Sequence, residues 1–272
     1  DFNSTHAVNY YLRSIAHNTV LIHDPDETWP AIRAGEVTGN DGGQAHGWPH
    51  HNGAVVDADA WERDRQLYDI ADMLAVAEHG TYLYVAADVT RAYSPDKLVS
   101  FTRQILFQRP GTFVVLDRVE STAPEYKKTW LLQAAKRPVA SEADNRSLML
   151  THGDGRLFVQ TLLPTASVTQ LIDGDELYRY GGRDYQPSRD TGPAPECRIE
   201  ISPVEPATVD YFLHVLTATD STTDSVADAR VRRIDEQFEV IIGETTITLP
   251  ADPRRDVETD VSTAVLEQPD SR

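Results

Sequence analysis

Phe101-Thr102-Arg103-Gln104-Ile105-Leu106-Phe107, then Gln108 and Arg109-Pro110-Gly111, then Thr112-Phe113-Val114-Val115-Leu116-Asp117-Arg118-Val119 is the stretch that decides the fold class. Both arms are crowded with aromatic and β-branched residues, and the Pro-Gly pair between them is turn chemistry, so the segment reads as a β-hairpin. Upstream, Tyr82-Leu83-Tyr84-Val85-Ala86-Ala87-Asp88-Val89 is a further strand, bounded by Gly80 and Pro95. Downstream, residues 128–134, 148–150, 156–162, 167–172, 197–201 and 209–217 repeat the pattern at intervals of roughly 8–15 residues. Only residues 7–15 and 61–70 carry a helical pattern, a weak one. The fold class is therefore all-β: a large antiparallel β-sandwich followed by a small C-terminal β-sheet.

A boundary falls in the polar run of residues 220–228, where Ser, Thr, Asp and Ala offer little to bury. Residues 1–221 form the sandwich and residues 222–272 a small β subdomain. In the latter, residues 229–234, 238–242 and 245–249 are the strands, and the acidic tail after Pro250 frays.

Composition limits the partners. The 43 acidic residues outnumber the 25 basic ones, for a formal charge of −18, and only four of the basic residues are lysines. No excess of cations is available to displace counterions, which argues against nucleic acid and anionic membranes. No run approaches the ~18 apolar residues that a membrane-spanning helix needs. Cys197 is the single cysteine, which excludes an intrachain disulfide framework and a multi-cysteine zinc cage; it sits in an apolar strand and reads as core.

Chemistry concentrates near the N-terminus. His17 stands at the head of a strand, where a ring can offer one nitrogen to a metal and fix the other on a backbone acceptor; the plainer alternative is a hydrogen-bonded edge residue. Residues 24–59 form a long polar loop holding Asn40-Asp41-Gly42-Gly43-Gln44, His46, Trp48, His50 and His51. Loops of that length and polarity are commonly functional or disordered. Its histidines suit a metal cluster, a sugar-contacting surface or plain solvation, and Trp48 can stack on a sugar face or plug the sandwich edge. The Asn-Asp-Gly-Gly run either binds a ligand or reverses the chain. Asp24, Asp26 and Glu27 lack EF-hand spacing and read as a solvated acidic turn.

Leu12-Arg13-Ser14-Ile15-Ala16-His17-Asn18-Thr19-Val20 followed by Asn40-Asp41-Gly42-Gly43-Gln44 resembles the C-terminal part of the heparinase II/III-like polysaccharide lyases. The strand phrases at 101–104, 112–119, 128–132, 158–164 and 211–216 are similar to that family's sandwich strands, in the same order, so the likeness covers most of residues 8–217. The resemblance implies a β-sandwich that works beside an N-terminal (α/α) toroid, a secreted or periplasmic location, and cleavage of uronate-containing glycans by β-elimination. It also implies zinc, with His17 as one ligand of three. Arg13, Asn18, Gln44, His46 and Trp48 are the expected substrate-binding residues, Arg13 as the cation nearest His17 or else as a surface arginine paired with a carboxylate. The family's His-x-His segment and toroid have no counterpart here, so the catalytic acid and base are expected upstream of Asp1, and these residues alone are expected to be inactive. An acidic polysaccharide or oligosaccharide is the expected partner, and self-association is left open. The alternative reading is a non-catalytic carbohydrate-binding or interaction module.

Overall fold

The structure, a computed structural model, describes residues 4–29, 39–45, 56–141, 146–189, 192 and 194–255, with the backbone of residues 266–267. The hairpin read from residues 101–119 is present as β4 (Leu98–Gln108) and β5 (Thr112–Ser121), paired antiparallel with Phe101 opposite Val119 and Phe107 opposite Phe113. It forms the middle of an eight-stranded antiparallel sheet. On one side lie β3 (Tyr82–Asp88) and β2 (Asp72–His79). On the other lie β14 (Val209–Asp220), β9 (Gly155–Leu163), β8 (Ser147–His152) and the short β7 (Val139–Ala140). A second sheet has the order β1-β6-β13-β10, from Val20–His23, Lys127–Ala134, Cys197–Pro203 and Ser167–Asp173.

β5 explains why the large sheet lies in the middle of the molecule. Its alternate residues Val114 and Leu116 pack with Phe238, Val240, Ile247 and Leu249, whereas Val119 packs with Trp130, Ile199 and Ile201 of the second sheet. The first group of partners belongs to β16 (Gln237–Ile242) and β17 (Thr245–Pro250), which with β15 (Ala229–Ile234) make the C-terminal sheet; residues 266–267 pair on its edge. Strands covered on both faces lose the apolar-polar alternation of a half-buried strand. β4, β5 and β14 accordingly bury apolar residues on both faces: Phe101 and Leu106, Val119 and Leu116, and Phe212 and Leu213 lie in the two different cores.

Local departures from the sequence pattern have physical causes. β2 reads Asp-Met-Leu-Ala-Val-Ala-Glu-His, poor in strand formers, and is held as an edge strand by pairing with β3 rather than by propensity. Residues 7–15 form not one helix but a π-turn (Ala7–Tyr11) and a 3-10 turn (Ser14–Ala16). The helix expected at 61–70 is α1 (Ala58–Tyr68), started by Asp57, whose carboxylate accepts from the Ala60 N–H at 2.7 Å. Cys197 is a fully buried core residue. The outer face of the second sheet is covered by Tyr10 and Ile15 from the N-terminal segment and by Tyr178, Tyr180 and Tyr185 from a later one. That later segment contains the two-residue strands β11 (Arg179–Tyr180) and β12 (Arg183–Asp184).

Candidate functional site

The 3-10 turn ends at His17, whose backbone is extended (φ −127°, ψ 164°) and leads into β1. The residues after it are braced from two strands, β6 and β4. The Asn18 side-chain Oδ1 accepts the Gln133 N–H at 2.7 Å, and the Asn18 carbonyl accepts from Arg103 Nη1 at 2.7 Å. The Thr19 carbonyl accepts the Leu131 N–H at 2.8 Å. Arg103 is itself fixed by a bidentate pair to the buried Asp117, at 2.6 and 2.7 Å, the strong fork geometry of an arginine-carboxylate contact. The His17 ring is exposed on this rigid frame.

Residues 39–45 pack against the same segment. The Asp41 carboxylate is completely buried and organises the contact. It accepts from Arg13 Nη2 at 2.7 Å, from the Gly43 N–H at 3.1 Å and from the Ile15 N–H at 3.1 Å. The Asn40 amide donates to the carbonyls of Asp24 and Glu27, while its oxygen accepts the Gly42 N–H. Gly42 sits at φ +77° and its carbonyl accepts the Ile22 N–H at 2.8 Å; a Cβ there would meet the His23 backbone at 3.1 Å. A Cβ on Gly43 would stand 2.5 Å from the Ser14 Cβ. The Gln44 N–H donates to Ser14 Oγ at 2.9 Å, three residues before His17. The two stretches that carry the family resemblance therefore fold into one unit.

A second buried ion pair closes the loop. Lys97 Nζ donates to Glu27 at 2.6 Å and to the Gly43 carbonyl at 2.8 Å. Burial lowers the Lys97 pKa and raises that of Glu27, each opposed by the attraction of its partner. The Arg13 guanidinium lies 3.5 Å above the centre of the Trp29 ring, a stacked cation-π contact. The fully buried Tyr93 donates to the Val20 carbonyl at 2.7 Å, and burial pushes its phenol up to about 12.

These placements revise two expectations. Residues 24–27 are not a solvated acidic turn: Asp24 is buried and caps the Asp26 N–H, and Glu27 is tied to Lys97. Arg13 is not a surface arginine. It is 2 % exposed and held by Asp41, the Gly39 carbonyl and Trp29, so in this structure it positions the 39–45 loop. Asn18 acts through its brace to Gln133 and Arg103, and Gln44 is half-buried beside Ser14. His46, Trp48, His50 and His51 lie outside the described residues. Among the described residues no three His, Cys, Asp or Glu side chains come together as a metal site. His17 is thus a single candidate ligand, and the described residues do not assemble a zinc centre around it. Lys97 and Trp29 were missed in the sequence; the one available signal was the rarity of lysine, which makes each of the four worth explaining.

No protein-family model matches the chain, and no curated protein matches it in sequence. Among solved structures it is similar to the heparan sulfate lyase HepC of Pedobacter heparinus, at 14% identity and TM-score 0.48, over 67% of this chain and 28% of that one. A heparinase III structure matches at 14% identity and TM-score 0.48, covering 73% of this chain and 32% of its own. Another heparinase III matches at 17% identity and TM-score 0.45, over 66% and 27%. The chain thus spans about a third or less of the length of these structures.

Proposed function

We propose that this chain is the sandwich portion of a polysaccharide lyase that cleaves uronate-containing glycans by β-elimination. The observation that carries the reading is the union of residues 12–20 with residues 40–44. The two stretches that resemble the lyases are bound to each other through Asp41, Arg13 and Ser14 and present His17 on their exposed side. In β-elimination a base removes the proton α to the uronate carboxylate, fixed polar groups stabilise the enolate-like charge, and an acid protonates the leaving oxygen. The described residues contribute a braced platform to such a site. The base and acid are assigned to a toroid encoded upstream of Asp1, and His17 to one of three zinc ligands. A secreted or periplasmic location follows from a polymeric glycan substrate.

The test begins with the coding sequence before Asp1, where some hundreds of helical residues rich in His and Tyr are expected. The intact protein is then assayed on uronate polymers by absorbance of the new double bond, and its zinc is measured with and without His17→Ala. Unsaturated product, with zinc lost on His17→Ala, is the expected result. Absence of product from every uronate polymer overturns the lyase reading, and zinc that survives His17→Ala overturns the ligand assignment.

A further inference from the structure

On the outer face of the second sheet, along β1, lies a pocket of about 360 Å³ whose lining runs from Ile15 to His23 and does not include His17. That is within the ~300–1,000 Å³ typical of small-molecule sites. Leu21, Ile15 and Ile172 supply an apolar lining, Thr129 and Glu200 a polar one, and Tyr180 lines it from the β11–β12 segment. Asn40 and Asp41 line it from the 39–45 loop. The sheet register explains the basic end: His23 and Lys127 are directly opposite each other on β1 and β6, so both project from the same face.

The charges in this pocket are nearly all consumed. Arg198 is paired with Glu200 at 2.8 Å, Arg179 with Glu176 at 2.7 Å, and Asp41 with Arg13 at 2.7 Å. Lys127 has no ion pair or side-chain hydrogen bond among the described residues and is exposed. One ammonium is therefore left uncompensated in a concave, partly apolar site, with the His23 ring beside it. Only Oε1 of Glu200 is hydrogen-bonded to Arg198, which leaves Oε2 to accept from a ligand hydroxyl.

We infer that this pocket is a binding site, separate from His17, for a small monoanionic, hydroxyl-bearing ligand with the chemistry of a sugar acid. Lys127 takes the anionic group, Glu200 accepts from a hydroxyl, and the Tyr180 ring and Leu21 cover an apolar sugar face. The pocket and its single free charge stand on the geometry alone; the choice of a sugar acid rests on the reading of the chain as part of a glycan-handling protein. The ligand is either a free monosaccharide acid or the end residue of an acidic chain, which share this chemistry.

The experiment is calorimetric titration of the intact protein with sodium glucuronate, an acidic tetrasaccharide, glucose and sodium acetate. Each is repeated with Lys127→Gln, with Lys136→Gln as a lysine control elsewhere on the surface, and with His17→Ala. Glucuronate is expected to bind, to weaken about tenfold or more in Lys127→Gln, and to be unaffected by Lys136→Gln. Glucose is expected to bind at least about tenfold more weakly, for lack of the charge. A tetrasaccharide that binds with the same sensitivity to Lys127→Gln identifies a chain end as the source, and one that does not identifies the free acid. Acetate binding as tightly as glucuronate, or glucuronate binding that is indifferent to Lys127→Gln, overturns the inference. Glucuronate binding lost in His17→Ala but kept in Lys127→Gln would assign the sugar to the His17 side, overturning this site while leaving the lyase reading intact.

Discussion

The Lys97 side chain has no exposed surface, and Glu27 keeps only a tenth of its own. Burial disfavours the charged form of each, so each is the other's main reason for remaining ionised. Removing one partner leaves a carboxylate or an ammonium stranded, whereas removing both leaves polar shape without charge. Lys97→Met is therefore expected to cost about 3–5 kcal/mol, and Lys97→Met combined with Glu27→Gln clearly less. Urea unfolding of the two singles and the double checks this; a double variant no more stable than Lys97→Met would contradict it. Little of this was visible in the sequence. Glu27 and Lys97 lie 70 residues apart, and Arg13 and Asp41 lie 28 apart. A pair that forms across a loop leaves no periodic trace, so Arg13 could be read as a cation near His17 but not as one already claimed.

Between β6 and β14 the two larger sheets meet through a stack of Trp130 on His214, with ring centres 3.8 Å apart. His214 is fully buried; its Nδ1 meets the Thr161 hydroxyl at 3.2 Å, and burial, reinforced by the charges of Arg103 and Arg146, lowers its pKa to about 3. The folded protein therefore keeps this ring neutral while the unfolded chain takes up a proton near pH 6.5. The sign follows: below about pH 6.5 the unfolded state binds the extra proton. Stability then falls as pH falls towards 3, by up to ~1.4 kcal/mol per pH unit from this group. Denaturant unfolding from pH 7.5 to 4.5 should show a shallower decline in His214→Gln than in the parent. Parallel declines would refute the assignment. As a strand β14 was legible from Tyr211-Phe212-Leu213-His214-Val215-Leu216, yet the inward direction of His214 was not. A strand apolar on both sides does not announce which residue faces which sheet. β2 failed for the opposite reason: its composition favours nothing, and its neighbour made it a strand.

The molecule is three sheets deep, and its central layer is complete only with residues 229–250 in place. A chain ending at residue 221 would uncover Leu106, Val114, Leu116, Leu213 and Val215, all buried in the packed structure. Such a chain is expected to associate and to lose its cooperative melting transition, because large contiguous apolar patches are not left open on soluble proteins. Size-exclusion chromatography and calorimetry decide it: a monomeric, cooperatively melting 1–221 would show that the boundary at residues 220–228 separates independent units. All-β class, the antiparallel hairpin and a C-terminal sheet were readable from composition and spacing. Layering was not, since it depends on the facing of strands rather than on their existence. Of the candidate site, the two motif stretches were legible, while their packing on each other and the inward turn of Arg13 were not.

His17 is carried by fastenings that do not involve its ring. Ser14, Asn18, Thr19 and Asp41 hold the turn and the strand through backbone groups and through neighbouring side chains. Position 17 therefore behaves as a socket. The side chain displayed there can be exchanged during descent without reworking the frame, so related chains could keep this scaffold while gaining, altering or abandoning the chemistry mounted on it.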